Sequence, residues 1–197
     1  MKILLVDIET TGFSHESDTI LEIGIVSLDL ETGETVTLFD SPVLEPHFCE
    51  KHKNAWIFSN SDLTLADIAS APTLEEVFPI VQEIFDTYEG ITAYNRSFDF
   101  GFLESRCFEL PRALPCPMLL STDVIKLPKK NGAGYKLPKA QEAWDFYFPE
   151  TPYVEKHRGA DDARIEALIV HEMFKRGIFK TETLTEVVEK LAERVSE

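Results

Sequence analysis

The strongest constraint on the fold is an apolar run near the start of the chain that ends in acidic residues. Residues 3–6 read Ile-Leu-Leu-Val, and the carboxyl residues Asp7 and Glu9 follow them. A continuous apolar run of this length is typical of a β-strand that is covered on both faces. The sequence therefore predicts a buried strand over residues 2–8, with two carboxyl groups at its end.

Further strands and helices follow in a regular order. Strands are predicted at four more places, over residues 21–28, 35–39, 91–94 and 117–121. Apolar residues at helical spacing predict helices over residues 77–88, 97–107, 138–145, 160–176 and 184–195. The first three strands have short connections and are expected to form an antiparallel meander. The order predicts an α/β fold with a mixed five-stranded sheet, three antiparallel strands plus parallel strands, flanked by helices.

Length and charge limit the architecture and the kinds of partner. With 197 residues, of which 44% are hydrophobic, the chain is expected to form one domain over residues 1–178, with a helix in residues 179–197 packed on it. The net charge is −16, from 19 Lys and Arg residues against 35 Asp and Glu residues. A protein that coats nucleic acid is basic, so any nucleic-acid contact is expected at a small site where metal ions supply positive charge.

Cysteine usage and hydropathy indicate a protein of a reducing compartment. Cys49, Cys107 and Cys116 are odd in number and have no CxxC spacing, which favours buried thiols over disulfides or a zinc site. Asp7 interrupts the N-terminal apolar run, so no signal peptide is expected, and no stretch reaches transmembrane length. We predict a cytoplasmic protein that does not associate with membranes.

Three groups of acidic residues are candidates for a functional site. Asp7 and Glu9 project to the same side of a strand, and such a pair repels unless a cation lies between the carboxylates or one is protonated. Mg²⁺ takes oxygen ligands and is commonly held by carboxylates. A strand that ends at a polar turn at Gly12 explains the same residues, so both interpretations stay open.

The second and third groups lie at predicted helix starts. Asp99 falls in the first turn of a helix, where the helix dipole favours a negative charge. His157 precedes Asp161 and Asp162 at the start of the long helix, an arrangement typical of a general base beside a metal ligand, but also of surface residues. Helical phase does not choose between Asp161 and Asp162, because both lie near the edge of the apolar stripe.

In this order the three groups resemble the motifs of the DEDDh 3′–5′ exonucleases, relatives of the proofreading subunit of bacterial DNA polymerase III, which have a ribonuclease H-like fold. The motif D-x-E-T-T-G matches residues 7–12, and N-x-x-F-D matches residues 95–99. The motif H-x-x-x-x-D matches His157 and Asp162, and Arg158 stands where a tyrosine-type member carries Tyr. The resemblance runs from residue 3 to about residue 175, so the domain of residues 1–178 would be the exonuclease domain.

The resemblance implies a metal-dependent 3′–5′ exonuclease that releases nucleoside 5′-monophosphates from single-stranded DNA or RNA. Two Mg²⁺ or Mn²⁺ ions would be held by Asp7, Glu9, Asp99 and Asp162. His157, the fifth catalytic residue, would take the proton from the attacking water. The implied partners are a single-stranded 3′ end and a DNA polymerase or another replication or repair protein.

Two sets of residues are candidates for substrate binding. The resemblance implies that the terminal nucleotide meets five residues: Thr10, Thr11, Phe13, Asn95 and Phe98. Residues 124–141 contain five Lys residues and no acid, and we expect Lys129 and Lys130, together with Arg158, to contact the phosphates upstream of the scissile bond. A solvated loop explains the same lysines, and residues 56–60 stand where many proofreading relatives carry an I-H-G-I-like segment.

Other functions remain open from the sequence. DNA proofreading, RNA-end trimming and oligoribonuclease activity would use the same five catalytic residues, and the sequence does not separate them. The run Asp-Ile-Glu-Thr-Thr also approaches the D-x-D-x-T signature of haloacid-dehalogenase-like phosphatases, although that interpretation leaves Asp99 and His157 without a role. A non-catalytic binding module on the same fold is a further alternative, and metal binding separates it from an enzyme.

Overall fold

The computed structural model describes residues 1–182, in which a mixed sheet lies between two sets of helices. The strands are β1 (Lys2–Thr10), β2 (Ile20–Asp29), β3 (Thr35–Pro42), β4 (Gly90–Thr92) and β5 (Arg112–Ala113). Their spatial order is β3-β2-β1-β4-β5, with antiparallel pairing among β1, β2 and β3. The pairs β1–β4 and β4–β5 are parallel. The predicted mixed five-stranded sheet is confirmed.

Seven α-helices are present in the described part of the chain, together with a 3₁₀ turn over Glu50–Asn54. They are α1 (Ile57–Asn60), α2 (Leu65–Ser70), α3 (Leu74–Thr87), α4 (Arg96–Ser105), α5 (Pro117–Ile125), α6 (Ala140–Tyr147) and α7 (Gly159–Lys175). Of these helices, none is both long enough and apolar enough to cross a membrane. The helix predicted over residues 184–195 lies outside the described residues, and the boundary at residue 178 stays a prediction.

The apolar run of β1 is continuous because both faces of this central strand are covered. Ile3 and Leu5 pack into a core with residues of α6 and α7, whereas Leu4 and Val6 pack into a second core with residues of α3 and α4. All four side chains are fully buried. Successive side chains of a strand alternate between faces, so Asp7 and Glu9 continue the series that faces α7.

The strand predicted over residues 117–121 is wrong. This segment begins α5, and the fifth strand is the two-residue Arg112–Ala113, which lies within the Pro-rich turns and pairs with Gly90 and Ile91. Pro117 occupies the first turn of α5, where its fixed φ suits a helix and its missing donor costs nothing. The apolar residues after Pro117 are therefore arranged on a helix.

The start of α7 meets β2 at a contact between two glycines. A Cβ atom on Gly24 would lie 2.0 Å from the carbonyl carbon of Gly159, and a Cβ atom on Gly159 would lie 2.7 Å from the Gly24 nitrogen. No side chain fits at either position while the backbones stay where they are. Because Gly24 pairs with Asp7 across the sheet, this contact sets the start of α7 next to the acidic end of β1.

We predict that Gly24→Ala strongly destabilises the protein. The added methyl group must push the first turn of α7 away from β2, and overpacking of this kind costs about 1–3 kcal/mol or more of unfolding free energy. The measurement is urea denaturation of the two proteins at one pH.

Gly101→Ala is the matched control for this prediction. Gly101 lies inside α4, and a Cβ atom there meets only the His15 ring at 3.6 Å, an ordinary contact. Ala is favoured over Gly inside a helix by about 0.5–1 kcal/mol, so Gly101→Ala should be neutral or stabilising. Equal stability of Gly24→Ala and the wild type would contradict the close backbone contact.

Candidate active site

Three segments from distant parts of the chain converge at one open cavity beside the end of β1. These segments are the end of β1, the first turn of α4, and the residues around the start of α7. The cavity is lined by all five residues that were predicted to be catalytic, Asp7, Glu9, Asp99, His157 and Asp162. The arrangement brings four carboxyl groups and one imidazole to the same place.

Asp99 is fixed directly to the strand that carries the first two acids. Its side chain is 3% exposed, and its Oδ1 atom accepts a hydrogen bond of 3.3 Å from the backbone N–H of Ile8. Ile8 lies between Asp7 and Glu9 in β1, so this bond aligns the first turn of α4 with both of them. The three carboxyl groups are therefore held by one rigid unit of strand and helix.

Asp162 is the member of the acidic pair on α7 that faces the cavity. It is 5% exposed, and its Oδ2 atom accepts the backbone N–H of Arg158 at 3.0 Å. Its Oδ1 atom accepts a short hydrogen bond from the Tyr153 hydroxyl. Asp161, in contrast, is exposed and pairs with the Lys156 ammonium group at 2.8 Å. The two neighbours thus have different environments.

His157 lies at the rim of the cavity in an uncommon backbone conformation. Its φ of 56° is in the left-handed region, which non-glycine residues adopt mainly where the surrounding structure holds them. The edge of the Trp56 ring packs against the imidazole, with the two ring centres 4.8 Å apart. The conformation directs the imidazole towards the acids, because ligand atoms of His157, Glu9 and Asp162 all lie within 4.8 Å of one another.

The electrostatics of the cavity fit a divalent cation. Burial and then the nearby acids raise the pKa of Asp7 well above its ordinary value, with Glu166 and Glu9 the largest charged contributors. The same causes raise the pKa of Glu9 to about 9, and burial raises the pKa of Asp99 to about 8. Carboxylates crowded in this way must either bind protons or share a cation, and hard cations prefer oxygen ligands.

Arg158 is occupied by the fold and does not line the cavity. Its guanidinium group forms a salt bridge of 2.6 Å with Glu22, which is fully buried, and one of 2.7 Å with Asp62. Glu22 also accepts the backbone N–H of Gly159 at 2.9 Å. This geometry argues against the predicted contact of Arg158 with substrate phosphates. The residue instead attaches the start of α7 to β2.

Sequence reasoning missed three charged residues that line the cavity: Lys139, Glu155 and Glu166. The sequence did indicate that Glu166 faces the interior, because it lies one helical turn after Asp162 and one turn before the buried Val170. An acid at that phase of an amphipathic helix must face the interior. Lys139 was noticed only as one lysine among five, and Glu155 gave no signal of its own.

A second cavity adjoins the first and holds most of the predicted contacts to the terminal nucleotide. It is lined by Glu9, Thr10, Thr11, Phe13, Trp56, Phe98 and Lys139, among others. Phe13 is 93% exposed and contacts only the edge of Phe98, with ring centres 6.2 Å apart. The Thr10 hydroxyl donates to the Gly12 carbonyl at 2.7 Å, and the Thr11 hydroxyl accepts the Thr19 N–H at 2.9 Å. Asn95 lines the first cavity together with Phe98.

The predicted lysine contacts lie at different distances from the cavities. Lys129 and Lys130 are exposed on a loop that is closed by a bridge between Pro128 and Tyr135, and neither residue lines either cavity. Lys139 lines both cavities. The loop connects to the site through Tyr94, whose hydroxyl donates to the carbonyls of Pro138 and Lys139 at 3.1 and 3.2 Å.

Comparison with known proteins gives a family match over most of the chain. Residues 4–170 match the model of the exonuclease family RNase T. The chain is 29% identical over 170 residues to the PolC-type DNA polymerase III of Clostridium perfringens, an alignment that covers 86% of this chain and 11% of that protein. The chain thus spans about a tenth of the length of the curated relatives that it matches.

Solved structures with a similar fold include other nucleases. The nuclease domain of 3′hExo, a DEDDh family member bound to rAMP, superimposes with a TM-score of 0.65 at 19% identity, over 92% of this chain and 96% of that one. Exonuclease I of E. coli in complex with a dA16 oligonucleotide gives a TM-score of 0.63 at 10% identity, over 88% of this chain and 41% of that one. At these identities the likeness concerns the fold.

We predict that the metal-free protein becomes less stable as the pH rises from about 5 to 9. In the unfolded chain Glu9 and Asp99 have ordinary pKa values of 4.5 and 3.8, whereas in the folded protein the values are about 9 and 8. Between these values the folded protein binds more protons than the unfolded chain, so the free energy of unfolding falls with pH. Thermal denaturation in chelator across this range measures the effect.

Two comparisons test the origin of this pH dependence. Asp99→Asn removes one of the groups with a raised pKa, so its unfolding temperature should fall less steeply. Saturating Mg²⁺ should remove most of the slope, because a bound cation replaces the protons. A metal-free protein whose stability is constant or rises between pH 5 and 9 would show that the burial and crowding of these acids do not raise their pKa values.

Proposed function

Because this chain belongs to the exonuclease family, we propose that it is a metal-dependent enzyme that removes nucleotides one at a time from the 3′ end of single-stranded nucleic acid and releases nucleoside 5′-monophosphates. The family match confirms the resemblance and the enzyme class predicted from the three motifs. The observation that carries the proposal is the convergence of Asp7, Glu9, Asp99, His157 and Asp162 on one cavity.

The four carboxylates are proposed as the metal ligands. Asp7, Glu9, Asp99 and Asp162 would hold two divalent cations, Mg²⁺ or Mn²⁺, which when bound activate water and stabilise the charge of the reacting phosphate. The raised pKa values of Asp7, Glu9 and Asp99 support this role, because burial, together with neighbouring acids at Asp7 and Glu9, disfavours the charged carboxylates and a bound cation offsets that cost. Four negative charges then balance four positive charges, so a polyanionic substrate is not repelled.

His157 is proposed as the group that accepts the proton of the attacking water. It is the imidazole that lines the cavity, and its ring lies close to the carboxylates of Glu9 and Asp162. An imidazole has a pKa near neutrality, and a positioned general base typically contributes about 10²–10⁴-fold in rate. The Trp56 contact would hold the ring in place, because its edge restricts rotation of the imidazole.

The second cavity is proposed to bind the terminal nucleotide. Exposed aromatic rings are the usual platform for unstacked bases, and Phe13 is both highly exposed and supported from the side by Phe98. Thr10 and Thr11 lie beside Glu9 at the wall shared with the first cavity, which suits contact with the terminal 3′-hydroxyl. Lys139 faces both cavities and is proposed to contact the scissile phosphate from the outer side.

The same proposal includes the kind of nucleic acid that is cut and the kind of protein partner. The PolC-type relatives favour single-stranded DNA and association with a DNA polymerase or another replication protein. RNA-end trimming or oligoribonuclease activity is the alternative, which the rAMP-bound nuclease domain of similar fold keeps open. A haloacid-dehalogenase-like phosphatase is disfavoured, because it leaves Asp99 and His157 without a role at the cavity that they line.

A panel of 5′-labelled oligonucleotides tests the reaction and the polymer together. Single- and double-stranded DNA and RNA are incubated with the protein in Mg²⁺, in Mn²⁺ or in chelator. We expect a ladder that shortens from the 3′ end on at least one single-stranded substrate with either cation and no products in chelator. The ratio of kcat/KM for matched DNA and RNA strands gives the preference.

Asp7→Asn is the control for this assay. It removes one charge at the position where β1 meets the cavity, and it should abolish the ladder while leaving the protein folded. Activity that persists in Asp7→Asn or in chelator would remove the two-metal proposal. Release of inorganic phosphate without shortening of the strand would instead support the phosphatase.

We predict that replacing Lys129 and Lys130 with Glu raises KM for strands of 15 or more nucleotides but not for a trinucleotide, because the loop lies beyond the cavities. The effect should be largest at low salt, since phosphate contacts weaken with ionic strength. The control is Lys2→Glu with Lys180→Glu, which changes the charge equally at the start of β1 and beyond the C-terminal end of α7, at two lysines that line neither cavity. Equal KM values for both double variants would remove the lysine loop from the substrate path.

A further inference from the structure

Glu166 is a buried carboxyl group that the four proposed metal ligands do not include. It lies on α7 one turn after Asp162, its side chain is 5% exposed, and it lines the cavity with the four acids. It is not a member of the group formed by Glu9, His157 and Asp162, whose ligand atoms all lie within 4.8 Å of one another. Glu166 is therefore an additional acid beside the proposed ligands.

The surroundings of Glu166 do little to stabilise a buried carboxylate. Its Oε2 atom accepts a hydrogen bond of 3.3 Å from the backbone N–H of Tyr94. Tyr94 lies two residues before the start of α4. The charged groups that most affect it are the acids Asp99, Asp162 and Glu155, all of which repel a carboxylate. A carboxyl group in such a place must either bind a proton or lie near a cation.

A hydrogen-bond acceptor for Tyr94 would not by itself require a charged residue. A Gln side chain has the same shape and offers the same carbonyl oxygen to the Tyr94 N–H. The negative charge is therefore the property of Glu166 that needs an explanation. This charge lies beside the proposed ligands, because Glu166 lines the same cavity as Asp7, Glu9, Asp99 and Asp162.

We propose that Glu166 is a fifth acid of the metal site, which strengthens divalent cation binding without contacting the substrate. This inference rests on the proposed function and adds a residue to its metal site. Groups that surround a ligand set typically change metal affinity by about 10–100-fold when they are altered. The charge of Glu166 thereby makes the electrostatic potential more negative at the place where the cations bind.

The test measures Mn²⁺ binding to the 197-residue chain by calorimetry in the absence of nucleic acid. Glu166→Gln keeps the acceptor for Tyr94 and removes the charge, and it should weaken the tightest Mn²⁺ binding by at least about tenfold. Glu166→Asp keeps the charge and shortens the side chain, and it should bind Mn²⁺ within threefold of the wild type. A structural role for the hydrogen bond predicts the opposite order, with Gln tolerated and Asp impaired.

Asp161→Asn is the matched control for the loss of one negative charge. Asp161 lies on the same turn of α7 as Asp162 but is exposed and paired with Lys156, so this variant should bind Mn²⁺ like the wild type. Thermal unfolding in chelator shows whether each variant folds. If Glu166→Gln does not fold, the Asp variant alone decides, since a tenfold loss of affinity there overturns the proposal.

Asp7→Asn separates this proposal from the proposed function. If Asp7→Asn loses Mn²⁺ binding and Glu166→Gln keeps it, the metal site stands and the role of Glu166 is rejected. If the wild type binds no Mn²⁺, or if Asp7→Asn binds it normally, the metal site itself is rejected. If both variants lose affinity and Asp161→Asn does not, Glu166 belongs to the metal site.

Discussion

The contact between Gly24 and Gly159 is the constraint on which the rest of the site depends. It lets the backbone at the start of α7 touch the backbone of β2 directly opposite Asp7. The buried pair of Glu22 and Arg158 holds the same junction through three hydrogen bonds and fixes the residue that follows His157. The sheet and α7 are thus joined so closely that Asp162 and His157 have one position relative to β1.

This rigidity makes the accumulation of acids possible. Asp7, Glu9, Asp99 and Glu166 all have raised pKa values, mainly because of burial and also, for Asp7, Glu9 and Glu166, because of one another. Repulsion of this size would separate the segments if flexible loops carried the acids. The acids instead lie on a strand between two apolar cores, in the first turn of α4 and within α7. Keeping these acids buried and close together costs free energy in the metal-free protein, and a bound cation offsets that cost.

Much of the fold could be predicted from the sequence, because it depends on patterns within short segments, whereas the convergence of the acids is implied by the resemblance of three motifs to those of the DEDDh exonucleases. The continuous apolar run of β1 and the helical spacing of apolar residues in α7 are such patterns. The strand β5 has only two residues and is too short to show a periodic pattern. Helical phase left Asp161 and Asp162 equivalent, since only the packing of Tyr153 and the backbone of Arg158 distinguishes them. The pairing of Arg158 with Glu22 joins residues 136 positions apart, and no local pattern encodes it.

The protein and its proposed substrate both carry negative charge, and bound cations would offset that charge at the site. The chain carries a net charge of −16, and Arg158, which directly follows His157, is neutralised by Glu22 and Asp62. Among the described residues that line the first cavity, Lys139 is the only lysine or arginine. A polyanion therefore meets little compensating positive charge at this cavity unless cations occupy the acids. With Asp7, Glu9, Asp99 and Asp162 as the proposed metal ligands, nucleic-acid binding and catalysis would depend on the same metal-binding equilibrium.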